Sequence, residues 1–276
     1  MPEEPPDPYD QIPYRGFPRR HSHPELLAAH ATIFGLSPQA VESSRILEIG
    51  CGDGANLISI AASLPNAHCS GVDRSVTHIE KGQEVITGAG LANIELQQGD
   101  FTELPAPEQP YDYIIAHGVY SWISHEEQQQ LLSLIKNQLA PNGVAFVSYN
   151  CYPGWNLRTL VRELMLYRTR NVEDPQQKVN IARQILPVLS GAVPSTMQGY
   201  AALLVDEQTL VNQTDDYYIA HEHLEEDNEP CHFHEFADRL DQNELQFLCE
   251  AELSSMFINR YPAALTALQT QDGDVI

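Results

Sequence analysis

The chain has 276 residues, and 38 Asp and Glu residues against 15 Lys and Arg residues give it a formal net charge of −23. Binding to nucleic acid or to anionic membranes depends on Lys and Arg that neutralise phosphate groups, so this charge argues against both partners. The length allows one or two domains with a substantial core, and the 42% of apolar residues argues against a disordered chain.

The five cysteines are scattered and odd in number, and no CxxC motif joins any two of them. This pattern is not a disulfide framework and indicates a reducing compartment. The acidic, proline-rich start lacks the basic and apolar regions of a signal peptide, and no apolar stretch approaches about 18 residues. These features predict a cytoplasmic protein.

Residues 1–22 contain six prolines, which disfavour helix and predict an extended N-terminal arm. Tyr9 and Tyr14 are spaced along this arm. Two interpretations remain open, namely a loose terminus and an arm that lies over a site.

Short apolar strands alternate with amphipathic helices between residues 23 and 150. Ser124 and Glu127 form a capping box at the start of one of these helices. The alternation predicts an α/β fold with a Rossmann-like, doubly wound, mostly parallel sheet. Helices are predicted at 23–36, 55–64, 75–87 and 124–139, and strands at 45–50, 68–73, 93–98, 111–118 and 143–150.

The strand–helix alternation stops after Asn150, and residues 154–224 show helical patterns without a convincing strand. A helix at 233–240 and a strand at 245–253 then resume the alternation. We interpret 151–230 as a helical insertion after the fifth strand, a lid or regulatory region, and 231–276 as a return to the core sheet. Two tandem domains are the alternative.

The segment ILEIGCGDG at 46–54 places Gly50, Gly52 and Gly54 where a strand turns into a helix. Glycine allows a tight turn and a close approach of ligand to backbone, and the helix start offers free N–H groups. The spacing also fits the dinucleotide fingerprint, with Asp73 placed for a ribose, so NAD is an alternative cofactor. A P-loop is excluded because no GK[ST] follows the glycines.

Three acidic positions favour S-adenosylmethionine over NAD. Glu48 lies beside the glycine turn, where a carboxylate suits a cationic ligand such as a sulfonium with an α-amino group. Asp73 ends the second strand and can accept both ribose hydroxyls. Asp100 and Phe101 end the third strand, where one can accept from an adenine amino group and the other can pack on the ring.

Together with ILEIGCGDG, the segments GVDRS, GDF and YDYIIAHGVYSWI occur in the order typical of class I S-adenosylmethionine-dependent methyltransferases, which this chain resembles over residues 45–150. By position, the resemblance implies that cofactor contacts come from the glycine loop and from the ends of strands two to four. The implied residues are Glu48, Gly50, Cys51, Gly52 and Gly54 for the methionine end, Asp73 and Arg74 for the ribose, Asp100 and Phe101 for the adenine, and His117 and Gly118 beside the sulfonium.

A narrower resemblance rests on HGVYSWI, on SYNCYPGW and on residues 217–240. These segments look like those of bacterial methyltransferases with a methyltransferase regulatory domain, to which rickettsial protein-lysine methyltransferases are similar. The resemblance implies methyl transfer to a protein, at lysine or another nucleophile. The alternatives are a small-molecule methyltransferase and a regulatory protein that binds the cofactor without turnover.

An activated methyl group needs mainly alignment and exclusion of water, although a lysine acceptor must also lose a proton. The catalytic candidates are His117, Tyr120 and Trp122, which follow the fourth strand. Tyr149 and Trp155 are further aromatic candidates, because open α/β sheets bind ligands at the carboxyl ends of their strands.

Acidic residues are concentrated at 206–252, where 15 Asp and Glu residues accompany Arg239 as the one Lys or Arg. This segment either attracts a basic substrate or forms a solvated surface. Residues 221–234 contain four histidines and one cysteine, but their spacing fits no standard zinc site, so no metal is predicted.

The sheet of a class I methyltransferase normally ends with an antiparallel strand beside the fifth strand. After residue 253 the sequence predicts helix and then loop instead. The chain is therefore either truncated before the last strand or closes its sheet differently.

Overall fold

The computed structural model describes Ile12, residues 14–194 and residues 196–257. Its main sheet has five parallel strands in the order β3-β2-β1-β4-β5, so the order reverses between β1 and β4. A crevice forms at the carboxyl ends of the strands where the order reverses. The strands are β1 (Arg45–Ile49), β2 (His68–Asp73), β3 (Ile94–Gln98), β4 (Tyr111–Ala116) and β5 (Leu139–Val147), and the first helices are α1 (Pro24–Ile33), α2 (Ala55–Ser63), α3 (Val76–Ala89) and α4 (His125–Gln138).

Apolar side chains cover both faces of this sheet. On β4, Ile115 packs in one layer with Leu57 of α2, and its neighbour Ile114 packs in the other layer with Leu131 of α4. Neighbouring residues of a strand point to opposite faces, so a strand buried on both sides must be apolar throughout. This arrangement confirms the predicted doubly wound α/β fold.

The predicted capping box is present at the start of α4. The Ser124 side chain accepts from the main-chain N–H of Glu127, and the Glu127 carboxylate accepts from the N–H of Ser124. These contacts satisfy N–H groups that the first turn of a helix leaves without partners. They fix where α4 begins, directly after the turn that follows β4.

Four helices form a unit with its own apolar core, built around Met165, Val179 and Ile219. Two short strands, β6 (Cys151–Tyr152) and β7 (Cys231–His232), pair in parallel at the two ends of this unit. The chain therefore leaves the sheet and returns beside its point of departure, as an insertion does. The helices of the unit are α5 (Asn156–Thr169), α6 (Pro175–Ala192), α7 (Gln198–Gln213) and α8 (Asp216–His223), and α9 (Phe233–Gln242) follows β7.

The strand predicted at 245–253 is wrong. Residues 243–252 follow an irregular path, and a short 3-10 helix spans Leu253–Met256. Residues 244–251 pair with none of the described strands, and a cleft of about 550 Å³ is lined by both these residues and β5. A strand needs a neighbour for its main-chain hydrogen bonds, which explains the irregular path.

The sequence predictions for residues 1–11 and 258–276 concern segments outside the described residues. Within the described part of the chain, none of the helices combines the length and the apolar character that a bilayer crossing requires.

Candidate active site

The loop between β1 and α2 turns through left-handed backbone at Gly50 and Gly52, where φ is 65° and 55°. A Cβ at Gly50 would lie 2.5 Å from the Val119 side chain, whereas a Cβ at Gly52 would meet nothing within 4 Å. Gly52 therefore borders open space. Gly54 also has left-handed backbone, with φ of 72°, and a Cβ there would lie 2.7 Å from the Leu96 side chain, so this glycine serves close packing as well.

Asp73 fixes the position of the glycine loop. Its Oδ2 accepts from the main-chain N–H of Gly52 at 2.7 Å, and its Oδ1 accepts from the N–H of Ser75 at 3.0 Å. The loop is also held by N–H groups of Gly50 and Cys51 that donate to Val72 O. The carboxyl ends of β1 and β2 thus form one rigid frame.

Two cavities open at these strand ends and share Gly50, Asp73, Gly118 and Trp122. We name them the arm cavity and the strand cavity. The arm cavity lies between the glycine loop, the end of β4, α8 and the N-terminal arm. The strand cavity lies between the ends of β2, β3 and β4. The shared residues make them two ends of one elongated site.

Glu48 lies on the floor of the arm cavity with a side chain that is almost fully buried. Its Oε1 accepts from Asn56 Nδ2 at 2.8 Å, while its buried Oε2 accepts no hydrogen bond from the described residues. Burial raises the pKa of this carboxyl from 4.5 to about 7, against the opposing effect of the Asn56 bond. A cation placed in the cavity would supply the missing partner.

Arg19, from the N-terminal arm, lines the same cavity. Its main-chain N–H donates to Asn56 Oδ1 at 2.7 Å. Its guanidinium lies near enough to Glu48 to lower the pKa of that carboxyl. Among the described residues that line this cavity, the buried Oε2 of Glu48 and the guanidinium of Arg19 together match a zwitterion.

His117 and Gly118 follow β4 and line the arm cavity. The His117 ring stacks on Phe146 with centroids 6.0 Å apart. Burial, with a contribution from the positive charge of Arg19, lowers the pKa of His117 to about 4. The imidazole is therefore neutral near pH 7.

Arg74, Asp100 and Phe101 line the strand cavity, at the ends of β2 and β3. Asp100 caps a short helix by accepting from the Thr102 N–H at 2.8 Å. Phe101 is 8% exposed and belongs to the sheet core. The structure thus brings an acid and an aromatic ring to one wall of this cavity.

Trp122 lies where the two cavities meet and contacts the helical insertion. Its ring meets Trp155 edge-on, with centroids 6.3 Å apart. The guanidinium of Arg162 lies 5.3 Å from the ring centroid of Trp122, a cation–π distance. The insertion therefore holds Trp122 against the site.

The candidates Tyr120 and Tyr149 do not line either of these two cavities. Tyr120 is 0% exposed, and its hydroxyl accepts from Arg239 at 3.1 Å. Tyr149 stacks on Phe236 at 4.3 Å. The short helix after β4 turns Tyr120 into the core while Trp122, two residues later, faces the site. Cys51 does line the arm cavity, but burial holds its pKa well above the usual range, so it remains a thiol.

His221 and His223 make separate contacts, while the rings of His232 and His234 stack on each other. His221 Nε2 lies 2.6 Å from Ile12 O, and His223 Nε2 lies 2.7 Å from Glu207 Oε1. In the part of the chain that the structure describes, no three potential metal ligands converge.

Several residues that line the arm cavity were not predicted as site residues, namely Gly16, Phe17, Arg19, Asn56, His78 and Glu222. Asn56 had a local signal, because it follows the glycine loop by two residues. Arg19 and Glu222 reach the site only through the tertiary fold, whereas Tyr14 lies on the arm that the sequence offered as a cover of the site.

The fold and this site define a class, an α/β domain that binds a nucleoside cofactor at the carboxyl ends of its strands. A family model described as "Methyltransferase domain" matches residues 40–239, and one described as "Predicted methyltransferase regulatory domain" matches residues 215–275. The chain therefore belongs to the methyltransferase domain family.

Rickettsial proteins resemble this chain over most of its length. The uncharacterized protein RP028 of Rickettsia prowazekii is 35% identical over 240 residues, which cover 87% of this chain and 96% of that protein. The uncharacterized protein RP789 of the same organism is 33% identical over 270 residues, which cover 98% of this chain and 49% of that protein.

The structure of PKMT2 from Rickettsia typhi in complex with AdoHcy matches with a TM-score of 0.83 and 37% identity. The match covers 94% of this chain and 50% of that one, so the chain spans about half the length of RP789 and PKMT2. These findings confirm the predicted class, an S-adenosylmethionine-dependent methyltransferase domain of the Rossmann-like fold, together with its resemblance to proteins that carry a methyltransferase regulatory domain.

Proposed function

We propose that S-adenosylmethionine binds across the two cavities and that the methyl group passes to a protein lysine side chain. The observation that carries the proposal is that Glu48 and Arg19 both line the arm cavity. The α-ammonium group of the methionine end matches the unsatisfied Oε2 of Glu48, and the α-carboxylate matches the guanidinium of Arg19.

The remaining predicted contacts follow the elongated site. Gly50, Cys51 and Gly52 border the methionine end, Asp73 and Arg74 the ribose, and Asp100 and Phe101 the adenine. Gly54 supports this arrangement through packing against Leu96 rather than by lining a cavity. Because Asp73 is shared by the two cavities, it lies where the ribose must pass between them.

The cofactor supplies an activated methyl group, so the protein needs to align the acceptor and exclude water. Trp122 and the N-terminal arm cover the site from two sides, which limits access of water. His117 and Gly118 lie beside the position assigned to the sulfonium. The neutral state of His117 avoids a second positive charge next to it.

Two observations support a lysine acceptor over an uncharged small molecule. Glu225, Glu226, Asp227 and Glu229 form an acidic segment shortly after the cavity residue Glu222, and three of them are exposed. The matched structure of PKMT2 and the sequence resemblance to protein-lysine methyltransferases point to the same acceptor class. An acidic segment attracts basic protein segments and raises their rate of encounter.

Calorimetric titration with S-adenosylmethionine and with NAD tests the cofactor. We expect binding of the first alone, and weaker binding by about 1–3 kcal/mol in Asp73→Asn, which loses a charged hydrogen-bond acceptor. Asp206→Asn, at a position on α7 away from both cavities, is the matched control. Binding of NAD alone would overturn the assignment.

Transfer of tritiated methyl groups tests the acceptor. We expect label in lysine of a lysine-rich protein such as histone H3, with rates that fall as salt is raised. Label found in small molecules alone, or cofactor binding without any transfer to protein, would contradict the lysine proposal and leave the cofactor assignment standing.

A further inference from the structure

The arm cavity has a roof formed by two segments that lie far apart in the sequence. His221 Nε2 contacts Ile12 O at 2.6 Å across a separation of 209 residues. The ring of Tyr14 meets the ring of Tyr217 edge-on, with centroids 5.1 Å apart. We use the name roof for residues 14–19 of the arm and 217–222 of α8.

The roof is attached to the cavity floor. The main-chain N–H of Arg19 donates to Asn56, which in turn donates to Glu48. Gly16 lies so close to the floor that a Cβ there would be 2.1 Å from Asp53 Oδ1. The distance between roof and floor is therefore fixed by direct contacts.

Glu222 is the one carboxylate of the roof among the described residues that line the cavity. Burial raises the pKa of Glu222, while the charges of Arg158, Arg162 and Arg19 oppose this effect. Burial raises the pKa of Tyr14, the charge of Arg19 opposes this effect, and the charge of Glu222 adds to it. A partly buried carboxylate such as Glu222 is stabilised by an arriving cation.

Two of these arginines, Arg162 and Arg158, have other partners. Arg162 donates at 2.6 Å to the main-chain carbonyl oxygens of Glu222 and Glu225. Arg158 donates to the hydroxyl of Tyr218 at 3.1 Å and lies 2.9 Å from Glu207. These contacts hold the backbone and neighbours of α8 in place, and the side chain of Glu222 lines the cavity.

We propose that the roof is the acceptor subsite, in which the Glu222 carboxylate holds a primary ammonium group and the Tyr14 ring packs against its alkyl chain. This inference rests on the proposed methyl transfer to an amine. On the floor, Glu48 is assigned to the α-ammonium of the cofactor, and Asp73 holds the glycine loop. Glu222 is thus the carboxylate of this cavity that remains for the acceptor.

In the proposed step the ammonium gives one proton to the Glu222 carboxylate, which later releases it to solvent, and the nitrogen gains a free electron pair. That pair forms the new N–C bond as the C–S bond breaks, and sulfur keeps the bonding electrons. The product is a methylated ammonium with the same charge as the original acceptor.

The test uses a capped peptide with one lysine and the same peptide with norleucine, each titrated into the protein saturated with S-adenosylhomocysteine. We expect Glu222→Gln to weaken binding of the lysine peptide by about tenfold and to remove its advantage over the norleucine peptide. The affinity for S-adenosylhomocysteine should stay within about twofold of the wild type. Glu163→Gln, an exposed position on α5, is the matched control and should change neither value.

Turnover separates this inference from the proposed function. If the wild type methylates the lysine peptide and Glu222→Gln binds it equally well, the subsite assignment is wrong and the function stands. If the wild type transfers no methyl group, yet its lysine preference is lost in Glu222→Gln, the function is wrong and the subsite stands. Equal loss of peptide and cofactor affinity would show a general structural role and overturn the subsite.

Discussion

Asn56 joins Glu48 to the N-terminal arm through a single side-chain amide. Its Nδ2 donates to Glu48 Oε1 at 2.8 Å, and its Oδ1 accepts from the Arg19 main-chain N–H at 2.7 Å. The buried carboxylate and the main chain of the arm at Arg19 are therefore positioned by the same group. This relationship links the ionisation of Glu48 to the seating of the arm and to cofactor binding.

The first prediction concerns Glu48→Gln and stability. The pKa of Glu48 is raised from 4.5 to about 7, so its ionisation disfavours the folded state. The contribution of protonated Glu48 to the free energy of unfolding is fully present below pH 4.5 and is lost as the pH rises through about 7. Gln keeps an acceptor for Asn56 and cannot ionise, so urea unfolding above about pH 8 should show a gain of up to about 3 kcal/mol.

Below about pH 4.5, Glu48→Gln should unfold with the same free energy as the wild type, because Glu48 is then protonated in both the folded and the unfolded state. Comparing the free energy of unfolding at two pH values therefore provides an internal control. A gain that does not change with pH would show that repacking, rather than ionisation, explains the effect.

The second prediction concerns protons released when the cofactor binds. If the α-ammonium of S-adenosylmethionine pairs with Glu48, binding favours the ionised carboxylate and lowers its pKa. Titrations near about pH 6 in buffers of different ionisation enthalpy should show release of close to one proton. Glu48→Gln should bind more weakly and release none, whereas equal release by both proteins would assign the proton to another group.

The third prediction concerns Tyr120→Phe. The buried hydroxyl accepts from Arg239, which also donates to Gln128 Oε1 at 2.9 Å. Losing the hydroxyl should cost about 1–2 kcal/mol of unfolding free energy and leave cofactor affinity unchanged. Trp122→Phe, on the cavity side of the same turn, should weaken cofactor binding and leave the unfolding free energy nearly unchanged. A large fall in methyl transfer by Tyr120→Phe without a fall in stability would instead indicate that Tyr120 is a catalytic residue.

Much of the fold could be predicted because the central strands are buried on both faces and read as apolar runs. The edges were harder. β5 begins at Leu139 rather than 143, because a register irregularity near Asn142, where φ is 62°, lets the ladder start earlier. Residues 245–253 carry a strand-like pattern, but a strand also needs a paired neighbour, which sequence periodicity does not report.

Some residues of the cofactor site could be predicted from the sequence, and others could not. The glycine loop and Asp73 are local signals, since turn geometry and strand ends are encoded by neighbouring residues. Arg19 and Glu222 lie in segments whose composition indicates an arm and an acidic surface. Only tertiary contacts, such as that between His221 and Ile12, bring them together. Tyr120 had the right residue type, but the direction of its side chain depends on the turn after β4.

The last prediction concerns Gly16→Ala and the seating of the arm. A methyl group at this position would lie 2.1 Å from Asp53 Oδ1 and 2.9 Å from the Ala55 Cβ. Asp53 is largely buried, and its Oδ2 lies 2.6 Å from Lys81 Nζ, so its side chain has little freedom to move. We therefore expect the new methyl group to displace the arm instead. Displacement of the arm would move Arg19 from the cavity, and cofactor affinity should fall by about tenfold or more in calorimetric titration.

Gly88→Ala is the matched control for Gly16→Ala, because Gly88 lies in α3 and a Cβ there meets nothing within 4 Å. Alanine is favoured over glycine in a helix, so this control should keep cofactor affinity and gain about 0.5–1 kcal/mol of stability. Trypsin should cleave after Arg15 or Arg19 faster in Gly16→Ala than in the control, and cofactor should slow cleavage in the control alone. Unchanged affinity and cleavage in Gly16→Ala would mean that the arm is not part of the cofactor site.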